Sequence, residues 1–166
     1  MSGDTLKLKK KGDELKVKRV RELMSKDCKT VTLQDNVHEI AVIMAENDIG
    51  FVPVVEVEDK TKLIGAVTDR DLVVRGYAQK RPGSCPVSDV MSEALVTVSP
   101  DTDAEEAADI MAKHQIRRLP VVEDGRLCGV ISLGDLALGN TTGRDAGQAL
   151  SEISEHSNTN TNTYLQ

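Results

Sequence analysis

The sequence has almost no aromatic side chains: of 166 residues, only Phe51, Tyr77 and Tyr164 are aromatic, and there is no Trp. A platform of rings for stacking nucleic-acid bases is therefore excluded, and any core has to be built from Val, Ile, Leu, Met and Ala. Cysteine is scarce too, with Cys28, Cys85 and Cys128 in no Cys-x-x-Cys spacing and odd in number. That pattern fits reduced thiols in a cytoplasmic protein better than a disulfide framework or a structural zinc site. There is no long apolar run and no secretory signal pattern, so the expectation is a cytoplasmic chain without a membrane segment.

Catalytic signatures are equally missing. No nucleophile elbow, Walker loop, Gly-x-Gly-x-x-Gly or His-Glu-x-x-His occurs. The histidines, His38, His114 and His156, stand at no metal-ligand spacing with a Cys or an acid. The expectation is a protein that is not an enzyme, with no catalytic residue, no metal and no required cofactor.

The formal net charge of −6 disfavours nonspecific nucleic-acid binding by the body of the protein. Its distribution is uneven, because Lys7, Lys9, Lys10, Lys11, Lys16, Lys18 and Arg19 crowd the first nineteen residues. Residues 1–16 lack apolar periodicity and read as a basic, flexible, solvated arm.

What the sequence does have is an internal repeat. Leu63-Ile64-Gly65-Ala66-Val67-Thr68-Asp69-Arg70-Asp71-Leu72 returns as Leu127-Cys128-Gly129-Val130-Ile131-Ser132-Leu133-Gly134-Asp135-Leu136. Each copy is an apolar strand ending in a hydroxyl residue, with an Asp three positions on and a helix beginning. Ser/Thr-x-x-Asp at such a junction is a helix-capping pattern and also a way to present a hydroxyl and a carboxylate to a ligand. Gly65 and Gly129, inside the strands, mark places where another backbone or a ligand comes close.

Further correspondences extend the repeat upstream. Val20-Arg21-Glu22-Leu23-Met24-Ser25 is echoed by Val87-Ser88-Asp89-Val90-Met91-Ser92, at helical spacing. Thr30-Val31-Thr32-Leu33 and Leu95-Val96-Thr97-Val98 read as short β-branched strands, followed by polar helix starts. Two amphipathic helices carry Val37, Ile40, Ala41 and Met44, and Ala104, Ala107, Ala108 and Met111. Val52-Pro53-Val54-Val55 and Leu119-Pro120-Val121-Val122 are strands, and Asp124-Gly125 is a hairpin turn signal. Seven residues separate Val55 from Leu63 and four separate Val122 from Leu127, so the first hairpin is the longer.

The fold class that follows is α+β with α/β-type layers: two tandem β-α-β-β-α repeats packed as one pseudo-twofold module. A unit of about 55 residues is small for independent stability, and pairing two of them buries the exposed faces. The expected organisation is a basic arm at 1–16, a first repeat at 17–79, a linker at 80–86, a second repeat at 87–140, and a polar, mostly disordered tail at 141–166. A short helix at 146–153 interrupts the tail.

Together these motifs, with Ile49-Gly50-Phe51-Val52-Pro53-Val54-Val55 and Ile116-Arg117-Arg118-Leu119-Pro120-Val121-Val122, resemble the paired CBS domain, named after cystathionine β-synthase. The resemblance covers residues 17–139. It implies a regulatory module that holds an adenosyl ligand, AMP, ADP, ATP or S-adenosylmethionine, in clefts at the seam of the repeats. Asp71 and Asp135 would then accept from ribose hydroxyls, and Thr68 and Ser132 would donate to phosphate or sugar oxygens. Thr30, Ile49, Leu95 and Ile116 would enclose the adenine. Arg117 and Arg118 stand where the family often places phosphate-binding residues, whereas the first copy has Gly50 and Phe51, leaving Arg70 as its substitute. The resemblance also implies a homodimer through the helices bearing Leu72, Val73, Val74, Leu136, Ala137 and Leu138, and an effector protein that the sequence does not name. Two alternatives stay open: a purely structural dimerisation module, and a nucleic-acid-binding protein using its basic arm.

Overall fold

The computed structural model describes residues 17–139 and 143–157, so the basic arm at 1–16 and the end of the tail from residue 158 lie outside the described residues. Each repeat contributes one long helix and one antiparallel hairpin. Helix α2 (Val37–Asn47) starts at a capping box in which the Glu39 N–H donates to Asn36 Oδ1 at 3.0 Å and the Asn36 N–H donates to Glu39 Oε2 at 2.8 Å. Its counterpart α4 (Ala104–His114) has the same length. They end on left-handed residues, Asp48 and Gln115.

Strand β1 (Phe51–Val55) pairs with β2 (Leu63–Thr68), and β3 (Arg118–Glu123) with β4 (Arg126–Ser132). Both hairpins carry a bulge at the same place, after Val54 and after Val121. Asp124 and Gly125 take φ of 52° and 77°, which is why an Asp-Gly pair closes the tighter hairpin. The longer first hairpin reaches the tip of the second: the Leu127 N–H donates to the Thr61 carbonyl at 2.7 Å, and Arg126 pairs with Asp59 at 3.1 Å.

The strands expected at 30–33 and 95–98 shrink to single parallel bridges, Val31 with Val54 and Val98 with Val121. Local polar turns cut them short: the Thr32 N–H donates to Asp35 Oδ2 at 2.7 Å, and the Ser99 N–H to Thr102 Oγ1 at 3.1 Å. These bridges also correct the alignment of the copies. Val31 corresponds to Val98, so Thr30 matches Thr97, and Leu95 matches Cys28.

The entry segments are exchanged. Val20, at the start of α1 (Val20–Leu23), is buried with Val98, Ala107, Met111, Leu119 and Ile131 of the second repeat. Val87 and Val90 are buried with Ile40, Val52, Val54 and Val67 of the first. Backbone pairs fix the exchange, Ser25 with Val130 at 2.9 and 3.0 Å and Ser92 with Ala66 at 2.9 and 3.0 Å.

Each hairpin leads into an exit helix. The first is α3 (Asp69–Asp71), continued by a π-helical stretch, Leu72–Gly76, and a 3₁₀ turn, Tyr77–Gln79. The second is α5 (Leu133–Leu138). A final helix, α6 (Gly143–Ser157), packs on α4 and α5 and buries Ala149 and Ile153 in the second core. It is longer than the expected 146–153, and it replaces disorder over that part of the tail. The i, i+4 pair Ala149 and Ile153 gives it an apolar stripe with a core to join.

Candidate functional site

Both hydroxyl-x-x-Asp motifs fold into capping boxes of the same geometry. The Thr68 N–H and hydroxyl each donate to Asp71 Oδ2 at 2.8 Å, and the Asp71 N–H returns to Thr68 Oγ1 at 3.1 Å. In the second copy the Ser132 N–H and hydroxyl donate to Asp135 Oδ2 at 2.8 and 2.7 Å, and the Asp135 N–H to Ser132 Oγ at 3.1 Å. The structure thus realises the capping pattern at both junctions, engaging one oxygen of each carboxylate. The other oxygen of Asp71 faces Arg75 Nε at 3.6 Å, whereas the position matching Arg75 is Gly139.

The strand glycines are explained by backbone. A Cβ on Gly65 would lie 3.0 Å from the Ser92 carbonyl oxygen, and one on Gly129 would lie 2.5 Å from that of Ser25. Of the two reasons the sequence allows for a glycine there, the close approach of another chain segment is the one observed.

The hairpin register sets Arg118 opposite Ser132 and Phe51 opposite Thr68. The Leu133 N–H donates to the Arg117 carbonyl at 2.9 Å, as the Asp69 N–H does to that of Gly50 at 3.1 Å. Two exposed arginines therefore flank the junction that holds Ser132 and Asp135. Neither guanidinium is paired with another described residue. At the first junction the equivalent space is acidic: a Cβ on Gly50 would meet the Asp69 carboxylate at 2.8 Å. Arg70 is exposed there on the first turn of α3.

A cavity of about 200 Å³ opens between the repeats, lined by Leu63 and Ile64 of β2, by Glu93, Leu95 and Thr97, and by Val122 and Gly125 of the second hairpin. Of the residues expected around an adenine, Leu95 lines it. Thr30 lies half-buried before the Val31 bridge, while Ile49 and Ile116 close their helices, donating to the Met44 and Met111 carbonyls and packing on their own cores. Sequence reading sets Thr30 beside Leu95 and passes over Thr97. Aligning on Val31 and Val98 finds it. The counterparts of Ile64, Glu93 and Leu95 in the other half are Cys128, Lys26 and Cys28, so the two halves of the seam differ in chemistry.

Burial pushes the Cys28 thiol up, against a backbone hydrogen bond that lowers it, and the Asp27 charge adds to the rise. Such a thiol stays protonated at neutral pH and is no activated nucleophile. Among the described residues no three His, Cys, Asp or Glu side chains gather as a metal site, and no helix is long and apolar enough to cross a membrane.

Two exchanged repeats, two capped strand-to-helix junctions and a seam between them define a tandem module of one domain type. Residues 20–76 and 87–138 match the CBS domain, and the chain belongs to that family as a tandem pair. It is similar to the uncharacterized protein YlbB of Bacillus subtilis (strain 168), with 46% identity over 140 residues, 84% of this chain and 94% of that protein. The fold resembles the CBS domain protein PAE2072 from Pyrobaculum aerophilum complexed with AMP, at TM-score 0.71 and 24% identity, over 79% of this chain and 99% of that one. It also resembles the CBS domain pair of protein MJ0100 in complex with 5-methylthioadenosine and S-adenosyl-L-methionine, at TM-score 0.66 and 25% identity, over 73% and 98%.

Proposed function

We propose that this chain is a regulatory module that binds an adenosyl ligand, an adenine nucleotide or S-adenosylmethionine, at the seam of its repeats and signals to an effector protein as a homodimer. The observation that carries the reading is the exposed, unpartnered Arg117–Arg118 pair in register with Ser132 at the second junction. A scaffold has no use for two uncompensated cations beside a half-buried hydroxyl and carboxylate, whereas the phosphates of a nucleotide do. The adenosyl compounds held by PAE2072 and MJ0100 support the same ligand class.

In this reading the base enters the cavity beside Leu95. Its volume of about 200 Å³ suits a planar ring with sugar and phosphate outside, being below the usual range for a whole ligand. Thr30, Ile49 and Ile116 border the same seam from further out. Asp71 and Asp135 offer their second carboxylate oxygen to ribose, and Arg70 serves the first junction as the arginine pair serves the second.

The test is calorimetric titration of AMP, ADP, ATP, S-adenosylmethionine and adenosine against wild type and the Arg117→Ala/Arg118→Ala variant. Charge-assisted contacts contribute about 1.5–3 kcal/mol each, so ATP affinity is expected to fall at least tenfold while adenosine changes little. Unchanged affinities for both ligands would reduce the pair to solvated surface. A second reading, a ligand-free dimerisation scaffold, is favoured by the completed capping boxes, which give Thr68, Asp71, Ser132 and Asp135 a structural role without any ligand. It predicts no heat with any of the five compounds.

A further inference from the structure

The outer helical face of the second repeat is already covered, and that of the first is bare. Helix α6 lies over α4 and α5, where Ala108 and Leu136 are buried and Ala112 is partly so. Their counterparts in the first repeat are Ala41, Leu72 and Ala45, and Ala41 and Ala45 are exposed. Around them stand the exposed Val42, Val73 and Val74, with Tyr77 at 83% exposure. On the second side Leu138, at the end of α5, and Leu150, on α6, are also exposed, without such a cluster around the matched alanines.

From this difference, which rests on the self-association proposed above, we infer that the partner for the bare face is the same face of a second copy, and that α6 keeps the other face out of the interface. The face is self-complementary. Helix α2 and the first exit helix run antiparallel: the Asp69 N–H bonds the Gly50 carbonyl at one end, and the His38 N–H bonds the Gly83 carbonyl at the other. A twofold axis parallel to them lays α2 of one protomer over the exit helix of its partner, like ends together. The valines and Tyr77 then meet the depressions at Ala41 and Ala45. Glu46 and Asp48, exposed and in no ion pair among the described residues, come over the equally unpaired Arg70. Because the second face is occupied by the chain's own helix, each protomer offers one such face and assembly closes at two.

The experiment is sedimentation equilibrium on the full chain across a micromolar concentration series. Wild type is expected to be a dimer. Ala45→Arg, on an exposed helix position, is expected to be monomeric with an unchanged circular dichroism spectrum. Arg70→Glu and Glu46→Arg are each expected to raise the dimer Kd about tenfold, and the double variant to restore it. Asp109→Arg, the exposed α4 position matching Val42, should leave the dimer intact. A wild type that is monomeric throughout would overturn both the homodimer reading and this inference. A dimer that survives Ala45→Arg but dissociates with Asp109→Arg would overturn this inference alone. Adenosyl binding is read separately in the Ala45→Arg monomer, so its loss from wild type would count only against the ligand reading.

Discussion

The two repeats share a backbone plan and differ in what surrounds it. Register, bulge position and capping geometry match bond for bond at Thr68 and Ser132. Yet the first junction has Gly50, Phe51 and the Asp69 carboxylate where the second has Arg117, Arg118 and the buried Leu133. The first outer face is bare, and the second wears α6. The lesson is that the cap is part of the fold in both copies, while the differences lie at positions the fold leaves free to vary. Chemistry specific to one half therefore has to come from those neighbours rather than from the motif.

Substitution at the strand glycines gives the largest expected effect. Gly129→Ala places a methyl group 2.5 Å from a backbone carbonyl that is itself held by two hydrogen bonds, so neither partner yields cheaply. A loss of about 3 kcal/mol is expected, at the upper end for overpacking, against about 1 kcal/mol for Gly65→Ala with its 3.0 Å clearance. Urea denaturation checks both. Equal losses would show that the two seams are equally tight and erase this part of the comparison.

A smaller effect separates the two carboxylates. Asp71→Asn and Asp135→Asn each keep an acceptor oxygen and are expected to cost at most about 1 kcal/mol, a little more at 71 where Arg75 adds an ion pair. In a thermal-shift series, Asp135→Asn is expected to lose most of the stabilisation by ATP, since the arginine pair flanks that junction, while Asp71→Asn keeps it. An intact shift in both variants would leave two helix caps and no ribose acceptor.

The smallest effect concerns the hairpin tips. Asp59 is held below the usual carboxylate range chiefly by the Thr61 hydroxyl, with the Thr61 N–H and Arg126 adding to it. A carboxylate depressed in the folded state stabilises it at pH values above the ordinary range, about 4, and that contribution is lost as pH falls through the depressed value. Melting temperature against pH is therefore expected to show a shallow acid limb in wild type that is weaker in Asp59→Asn. The effect is small because the group is exposed and solvent-screened. Coincident profiles would mean that the tips touch without coupling.

Much of this architecture is legible in the sequence because it is local. The hairpins follow from β-branched runs around Pro53 and Pro120, the tight turn from Asp124-Gly125, and α2 and α4 from their apolar spacing. The capping boxes are visible as Ser/Thr-x-x-Asp. The exchange of Val20 with Val87 and Val90 is not visible, since periodicity tells which face of a segment is apolar and not which core receives it. Thr97 and Glu93 at the cavity escape for a related reason: the parallel bridges that set the true register are long-range backbone contacts with no local signature. Helix α6 is half legible, its stripe clear and its length extended by packing on α4 and α5.

The exchanged entry segments also set a timetable for synthesis. Chains emerge from the ribosome N-terminal end first, and domains ordinarily close as they appear. Here Val20 is among the earliest core residues made and the last to be satisfied, because its neighbours Ala107, Met111, Leu119 and Ile131 follow some ninety to a hundred residues later. The first core likewise stays open until Val87 and Val90 arrive. Neither half can close while the other is unmade, so folding is deferred to the end of translation and the nascent first repeat must be kept from pairing with the entry segment of a neighbouring nascent chain.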